Sequence, residues 1–104
     1  IWNRSSSEGT ADVGSILAGA SWVGALDMSG NVWEWTRSIY EDYPYEADDG
    51  READYEDETD VLYSLRGGSW LNNLNGYLRP ASRFRYFPNL RNNNSGFRCI
   101  LSYE

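Results

Sequence analysis

The clearest alternation of apolar and polar positions lies in "LDMSGNVWEWTRSIY", Leu26–Tyr40. Ser29-Gly30-Asn31 tolerates positive φ and predicts a turn. An aromatic strand follows, with Trp33 and Trp35 on one face and Val32, Glu34 and Thr36 on the other. "VLYSLRGGSW" (Val61–Trp70) predicts a second strand running into a glycine turn, and "GFRCILSYE" predicts a closing strand. Between these lies an asparagine-rich stretch with no clean period. Residues 1–25 are rich in Gly, Ser and Ala and read as loop and turns around short extended pieces. Residues 41–60 are acidic, broken by Pro44 and Gly50 and low in aliphatics, which predicts a solvated surface loop. Short strands, long irregular connections and almost no helical periodicity indicate an irregular, β-rich domain.

The 104 residues allow one domain at most, 1–104. Five Trp, eight Tyr and three Phe supply material for a core, although so short a chain leaves much of its surface wet. No run approaches the ~18–20 apolar residues of a membrane span, so no membrane insertion is expected. The net charge of −7 is uneven: residues 1–60 hold 15 acids against three arginines, and residues 61–104 hold six arginines against one acid. The acidic stretch 41–60 repels nucleic acid, which is therefore not an expected partner. The chain contains one cysteine, Cys99, and no histidine. An intrachain disulfide, a Ser-His-Asp triad, a Cys-His dyad and a His-ligated zinc or iron site are thereby excluded within it. It starts at Ile1 without a methionine, which reads as a fragment or a processed product.

Two readings of "DMSGNVWEW" stand side by side. Asp27 and Glu34 flank a turn whose carbonyls can point inward, and carboxylate plus carbonyl oxygens are what Ca²⁺ takes. In the alternative, Asp27 caps the turn and Glu34 pairs with an arginine. The acidic run lacks the spacing of an EF-hand loop, and "RGGSW" lacks the spacing and lysine of a phosphate loop. The glycine pair reads better as a turn with close backbone approach. Cys99, among apolar residues, reads as a small buried hydrophobe. Arg79, Arg83, Arg85, Arg91 and Arg98 read as braces for loop carbonyls, because a guanidinium offers five donors; an anion site is the alternative.

The combination "DMSGNVWEWT", "YPY…DGRE", "LRGGSW", "LRPASRFR" and "NNNSGFRC" resembles the C-terminal half of the formylglycine-generating enzyme (sulfatase-modifying factor) family. The likeness runs from Ile1-Trp2 to "GFRCIL". It implies an α+β, irregular and β-rich fold of the C-type lectin-like type, with the family's N-terminal part missing from this chain and expected as its partner. The resemblance also implies a structural Ca²⁺ site at Asp27 and Glu34 (side chains) and Gly30 and Val32 (carbonyls). The family's oxidases bind copper through two cysteines shortly after the "GGS" turn. Here that place reads "WLNNLNGYLR", and Cys99 matches neither. Without a thiolate pair no copper is expected, and no catalytic residue is assigned.

A second resemblance is to the variable proteins of diversity-generating retroelements, which share the lectin-like fold. Such an element replaces adenines, mostly in Asn codons, and leaves adenine-free codons fixed. Each variable site is then encodable by NNC or NNT, which excludes Trp, Met, Gln, Lys and Glu. None of those five occurs between Leu71 and Arg98, whereas eight Glu lie outside that window. The chain has no Lys or Gln anywhere, so Glu carries the contrast. The candidate variable region is 66–99, with a frame of Leu78, Arg79, Ala81, Arg83, Arg85, Pro88, Arg91, Gly96, Phe97 and Arg98. The implied binding residues are Leu71, Asn72, Asn73, Leu74, Asn75, Tyr77, Ser82, Phe84, Tyr86, Phe87, Asn89, Leu90, Asn92, Asn93 and Asn94, facing outward.

The resulting expectation is a non-catalytic protein whose diversified, Asn- and aromatic-rich surface binds a protein or other macromolecular ligand. Aromatic side chains give contact area at low entropy cost and Asn gives adaptable hydrogen bonds. The alternatives are an oxidase of the formylglycine-generating type, with its copper cysteines absent, and a module appended to a larger signalling protein.

Overall fold

A computed structural model describes residues 8–53, 61–71 and 78–101. The element order is a short 3-10 turn at Leu17–Gly19 followed by β1 (Trp33–Ile39), β2 (Tyr63–Arg66), β3 (Arg83–Tyr86) and β4 (Ser95–Gly96). The four strands form one sheet in the order β3-β2-β1-β4. β1 and β2 are antiparallel, as are β2 and β3, while β1 and β4 run parallel. This is the small, β-rich fold expected, with loops carrying most of the chain. No helix among the described residues is long and apolar enough to cross a membrane.

The turn before β1 forms as its residues dictate. Gly30 (φ 81°) and Asn31 (φ 68°) both take left-handed backbone, which Gly and Asn accept at least cost. The Gly30 N–H donates to the Gly67 carbonyl at 2.6 Å. Gly67 itself has φ 98°, and a Cβ there would lie 3.2 Å from the Met28 carbonyl oxygen. The glycine turn after β2 thus gives the close backbone approach read from "RGG". Asn31 is buried and bonds Ala11 twice, accepting from its N–H at 2.9 Å and donating to its carbonyl at 3.2 Å. One side chain thereby ties the N-terminal loop to the sheet.

The buried apolar core among the described residues is Trp33, Leu65 and Trp70. Trp33 opens β1, Leu65 lies at the centre of β2, and Trp70 follows the glycine turn. The Trp70 N–H donates to the Asn31 carbonyl at 2.7 Å, which joins the two turns.

Three expectations change. β3 forms in the stretch that shows no clean period in sequence. Its pairs are Tyr63↔Tyr86, Ser64↔Arg85, Leu65↔Phe84 and Arg66↔Arg83. The closing strand is only Ser95–Gly96, paired with Trp33 and Glu34. Beyond it the Arg98 side chain is drawn to Glu34 and the Leu26–Asp27 backbone, and Phe97, Ile100 and Leu101 are exposed; residues 102–104 lie outside the described residues. The acidic stretch is, in its described part, more than a solvated loop. Its acids are exposed apart from half-buried Glu52, but Arg51 is buried. Its Nε lies 2.9 and 3.0 Å from the Asp49 carboxylate oxygens and Nη2 2.5 Å from Oδ2. Nη2 also reaches the carbonyls of Asp42 and Pro44, each at 3.4 Å. The Ile39 N–H donates to the Arg51 carbonyl at 2.8 Å, which fastens the loop to the end of β1. Residues 54–60 of that stretch lie outside the described residues.

Leu65 is fully buried, so Leu65→Ala is expected to cost about 2–5 kcal/mol in urea denaturation. The Arg51 guanidinium bonded to Asp49 holds its carboxyl below the ordinary range. A lowered folded-state pKa contributes stability that is complete above the unfolded value and lost as pH falls through the folded one. Melting midpoints followed from neutral pH down to about pH 2 will therefore decline less steeply for Asp49→Asn than for the parent, from a lower start.

Candidate functional site

Residues paired across neighbouring strands share a face, and successive residues alternate. Trp35, Leu65 and Phe84 are paired in a row across β1, β2 and β3, and Glu34, Arg66 and Arg83 form the next row on the opposite face. The sheet is therefore aromatic on one side and charged on the other. On the aromatic side Phe84 stacks on Trp33 with centroids 5.7 Å apart, and Tyr86 meets Phe84 edge-on at 5.0 Å. A hollow of about 310 Å³ beside them is lined by Trp35, Thr36, Tyr63 and Pro88. On the charged side the Arg83 guanidinium lies 3.9 Å from the Tyr43 ring centroid and 4.5 Å from that of Tyr40. It also donates to the Glu41 carbonyl. Arg85 sits 5.0 Å from Tyr40, and the Tyr43 hydroxyl donates to the Ala81 carbonyl at 2.9 Å. Arg83 thus braces a loop carbonyl as expected of the arginines, whereas Arg85 meets a ring and Arg79 and Arg91 are exposed.

The candidate binding residues divide by how the fold uses them. The Asn94 carbonyl accepts from the Trp33 N–H at 2.7 Å, and the Asn93 carbonyl from the indole Nε1–H of buried Trp70 at 3.3 Å. The side chains of Asn92 and Asn93 are exposed, and Asn94 is half-buried. The fold holds this run by its backbone. Phe87, Asn89 and Leu90 stand on an exposed turn closed by Leu90 N–H to the Phe87 carbonyl at 3.1 Å. Leu71 is also exposed, and Ser82 is half-buried. Phe84 and Tyr86 do not simply face outward, because each packs an aromatic neighbour. Asn72, Asn73, Leu74, Asn75 and Tyr77 lie outside the described residues.

At the "DMSGNVWEW" turn the capping and pairing arrangement is found. Asp27 (φ 58°) accepts the Gly14 N–H on Oδ2 at 2.7 Å. Both Glu34 oxygens are held by Arg98, from Nε at 2.6 Å and from Nη2 at 2.5 Å. Arg98 further donates to the carbonyls of Leu26 at 2.6 Å and Asp27 at 2.9 Å. The Glu34 hydrogen bond raises the Arg98 pKa above its ordinary value, against a smaller opposing effect of burial. Gly30 is buried and Val32 half-buried in the same turn. Arg98 thus holds the Glu34 carboxylate that a calcium ion at this turn would use. Glu34 and Arg98 also line a larger cavity of about 750 Å³ with Met28, Ser29, Thr36 and Arg66.

Cys99 is exposed rather than buried, since it follows the last strand pair instead of lying within a strand. It is the chain's one thiol, so the residues present do not fit a two-thiolate copper site. The side chains that sequence reasoning passed over are Arg51, Tyr40 and Tyr43. Arg51 had a signal: it is the lone basic residue between Glu41 and Asp60.

Residues 2–103 match the family described as sulfatase-modifying factor enzyme 1-like domain. The inactive C-alpha-formylglycine-generating enzyme 2 of Mus musculus is 34% identical over 83 residues, 76% of this chain and 22% of that protein. The serine/threonine-protein kinase Pkn1 of Chlamydia trachomatis serovar L2 is 38% identical over 82 residues, 77% of this chain and 13% of that one. The formylglycine-generating enzyme of Mycobacterium tuberculosis is 36% identical over 104 residues, 88% of this chain and 33% of that enzyme. The chain thus spans a third or less of the curated relatives it matches. No solved structure matches it. A match over nearly its whole length, on the small β-rich scaffold described above, means that the chain belongs to the sulfatase-modifying factor enzyme 1-like family.

Proposed function

We propose that this chain is a non-catalytic ligand-binding domain with a lectin-like fold, and that its Asn- and aromatic-rich segment is a binding surface diversified by a retroelement. The observation that carries the reading is the use of the Asn93 and Asn94 carbonyls, which cap Trp70 and Trp33. Fold and surface chemistry are thereby separated at this run: the backbone is committed, and the Asn92 and Asn93 side chains are exposed to a partner. Phe87 and Leu90 add exposed apolar area next to polar, adaptable asparagines, a mixture suited to a protein ligand. The codon logic of the 71–98 window supports an origin in adenine replacement. The absence of a second thiol supports the non-catalytic half of the reading, as does the likeness to an enzyme named inactive.

The DNA of the gene and its flanks tests the origin. A nearby reverse transcriptase and a template copy differing only at adenines are the expected finding; an intact locus with neither overturns the retroelement origin. Separately, exchanging Asn92 and Asn93 together for Ser, Tyr or Asp is expected to change stability by no more than about 0.5 kcal/mol in denaturant unfolding. A loss several times larger would make those side chains structural and remove them from the surface. Copper binding, or formylglycine formed on a cysteine-containing test peptide, would overturn the non-catalytic assignment.

A further inference from the structure

We propose that the Arg98 guanidinium takes the place of a divalent cation at the Leu26–Glu34 turn, so that the fold carries its own positive charge there and does not depend on calcium. Four oxygens converge on this one group: both carboxylate oxygens of Glu34 and the carbonyls of Leu26 and Asp27, at 2.5–2.9 Å. A carboxylate with adjacent carbonyls is the donor chemistry of a hard cation. Here each donor instead meets an N–H of a planar fork, which matches a carboxylate in bidentate fashion and still has edges left for carbonyls.

The geometry favours the guanidinium over an ion. Calcium takes six to eight oxygens in a shell of about 2.3–2.6 Å. The remaining nearby carboxylate, Asp27, already uses Oδ2 on the Gly14 N–H at 2.7 Å and so fixes the loop rather than the centre. Arg98 is carried by the segment just after β4, and Glu34 pairs with Gly96 in the parallel ladder between β1 and β4. The sheet register therefore delivers the fork to its acceptors. Without Arg98, a half-buried carboxylate and two loop carbonyls would lose the donor they share, a loss that a divalent ion relieves.

Melting of the whole chain in chelator and in millimolar calcium tests this. The parent protein is expected to melt at the same temperature in both. Arg98→Met is expected to lose about 5 °C or more in chelator and to regain most of it with calcium but little with magnesium, which demands a tighter octahedral shell. In the Arg98→Met background Glu34→Gln should abolish the regain, which separates this turn from the acidic loop as the calcium-responsive element. A parent protein that loses stability in chelator overturns the proposal. So does an Arg98→Met protein that melts like the parent or shows no response to calcium. If Arg98→Met does not fold in either buffer, Arg98→Gln carries the test. Its neutral amide cannot span the four acceptors and leaves the centre without a positive charge, so the same loss and calcium regain are expected, and their absence overturns the proposal.

Discussion

A loop-rich chain must find partners for backbone groups that no neighbouring strand can reach, and most of this structure follows from how that is done. The ladders of four short strands pair only part of the backbone. The rest relies on side chains with several donors and on carbonyls brought in from far along the chain. Arg51, Arg83 and Arg98 each bind one or more loop carbonyls. Asn31 satisfies both polar groups of Ala11. Few of these contacts bury apolar area, and the buried core among the described residues, Trp33, Leu65 and Trp70, is small. The tertiary arrangement is held as much by multi-donor clamps as by packing.

The clamps also sort the sheet's two sides. Arginines alternate with aromatics along β3, so Arg83 meets Tyr40 and Tyr43 and Arg85 meets Tyr40, while Phe84 stacks on Trp33 and Tyr86 packs edge-on against Phe84. One side anchors the connection after β1. The other presents aromatic edges, with the Phe87–Leu90 turn leading from the end of β3 toward the asparagine run. The binding role proposed above would draw on the second side and leave the first intact. The two-thiolate site of the family's oxidases needs two cysteines, and the chain holds one.

How much of this was readable in the sequence depended on the range of the interaction. β1 and β2 were legible because alternation and turn residues are local signals. β3 was not, because its "RFRY" repeat is four residues long and sits among Asn, Pro and Gly, and its partners on β2 lie some twenty residues away. The closing strand was read too long for the complementary reason: "GFRCIL" has strand composition, but only Ser95 and Gly96 find the edge of β1. The acidic stretch looked solvated, since composition does not reveal that its single cation folds inward. At the Asp27–Glu34 turn the sequence left two arrangements open. Deciding between them required knowing that Arg98, 64 residues beyond Glu34, arrives at that point. The family, by contrast, was legible from local motifs such as "GNVWEW" and "RGGSW", which need no knowledge of distant contacts.

The hold on the asparagine run by its carbonyls has a consequence for how such a surface can evolve. The Trp33 N–H and the Trp70 indole each meet the carbonyl of a particular position along the chain, counted back from the Ser95–Gly96 pair. Exchanging a side chain leaves that count untouched. An insertion or deletion between Asn93 and Ser95 has to keep a carbonyl at each of those two places, or a donor beside the core is left unmet at a cost comparable to a lost hydrogen bond. At Asn93 and Asn94 the fold thus reads position and not side-chain identity, since a residue of any type placed there supplies the same carbonyl.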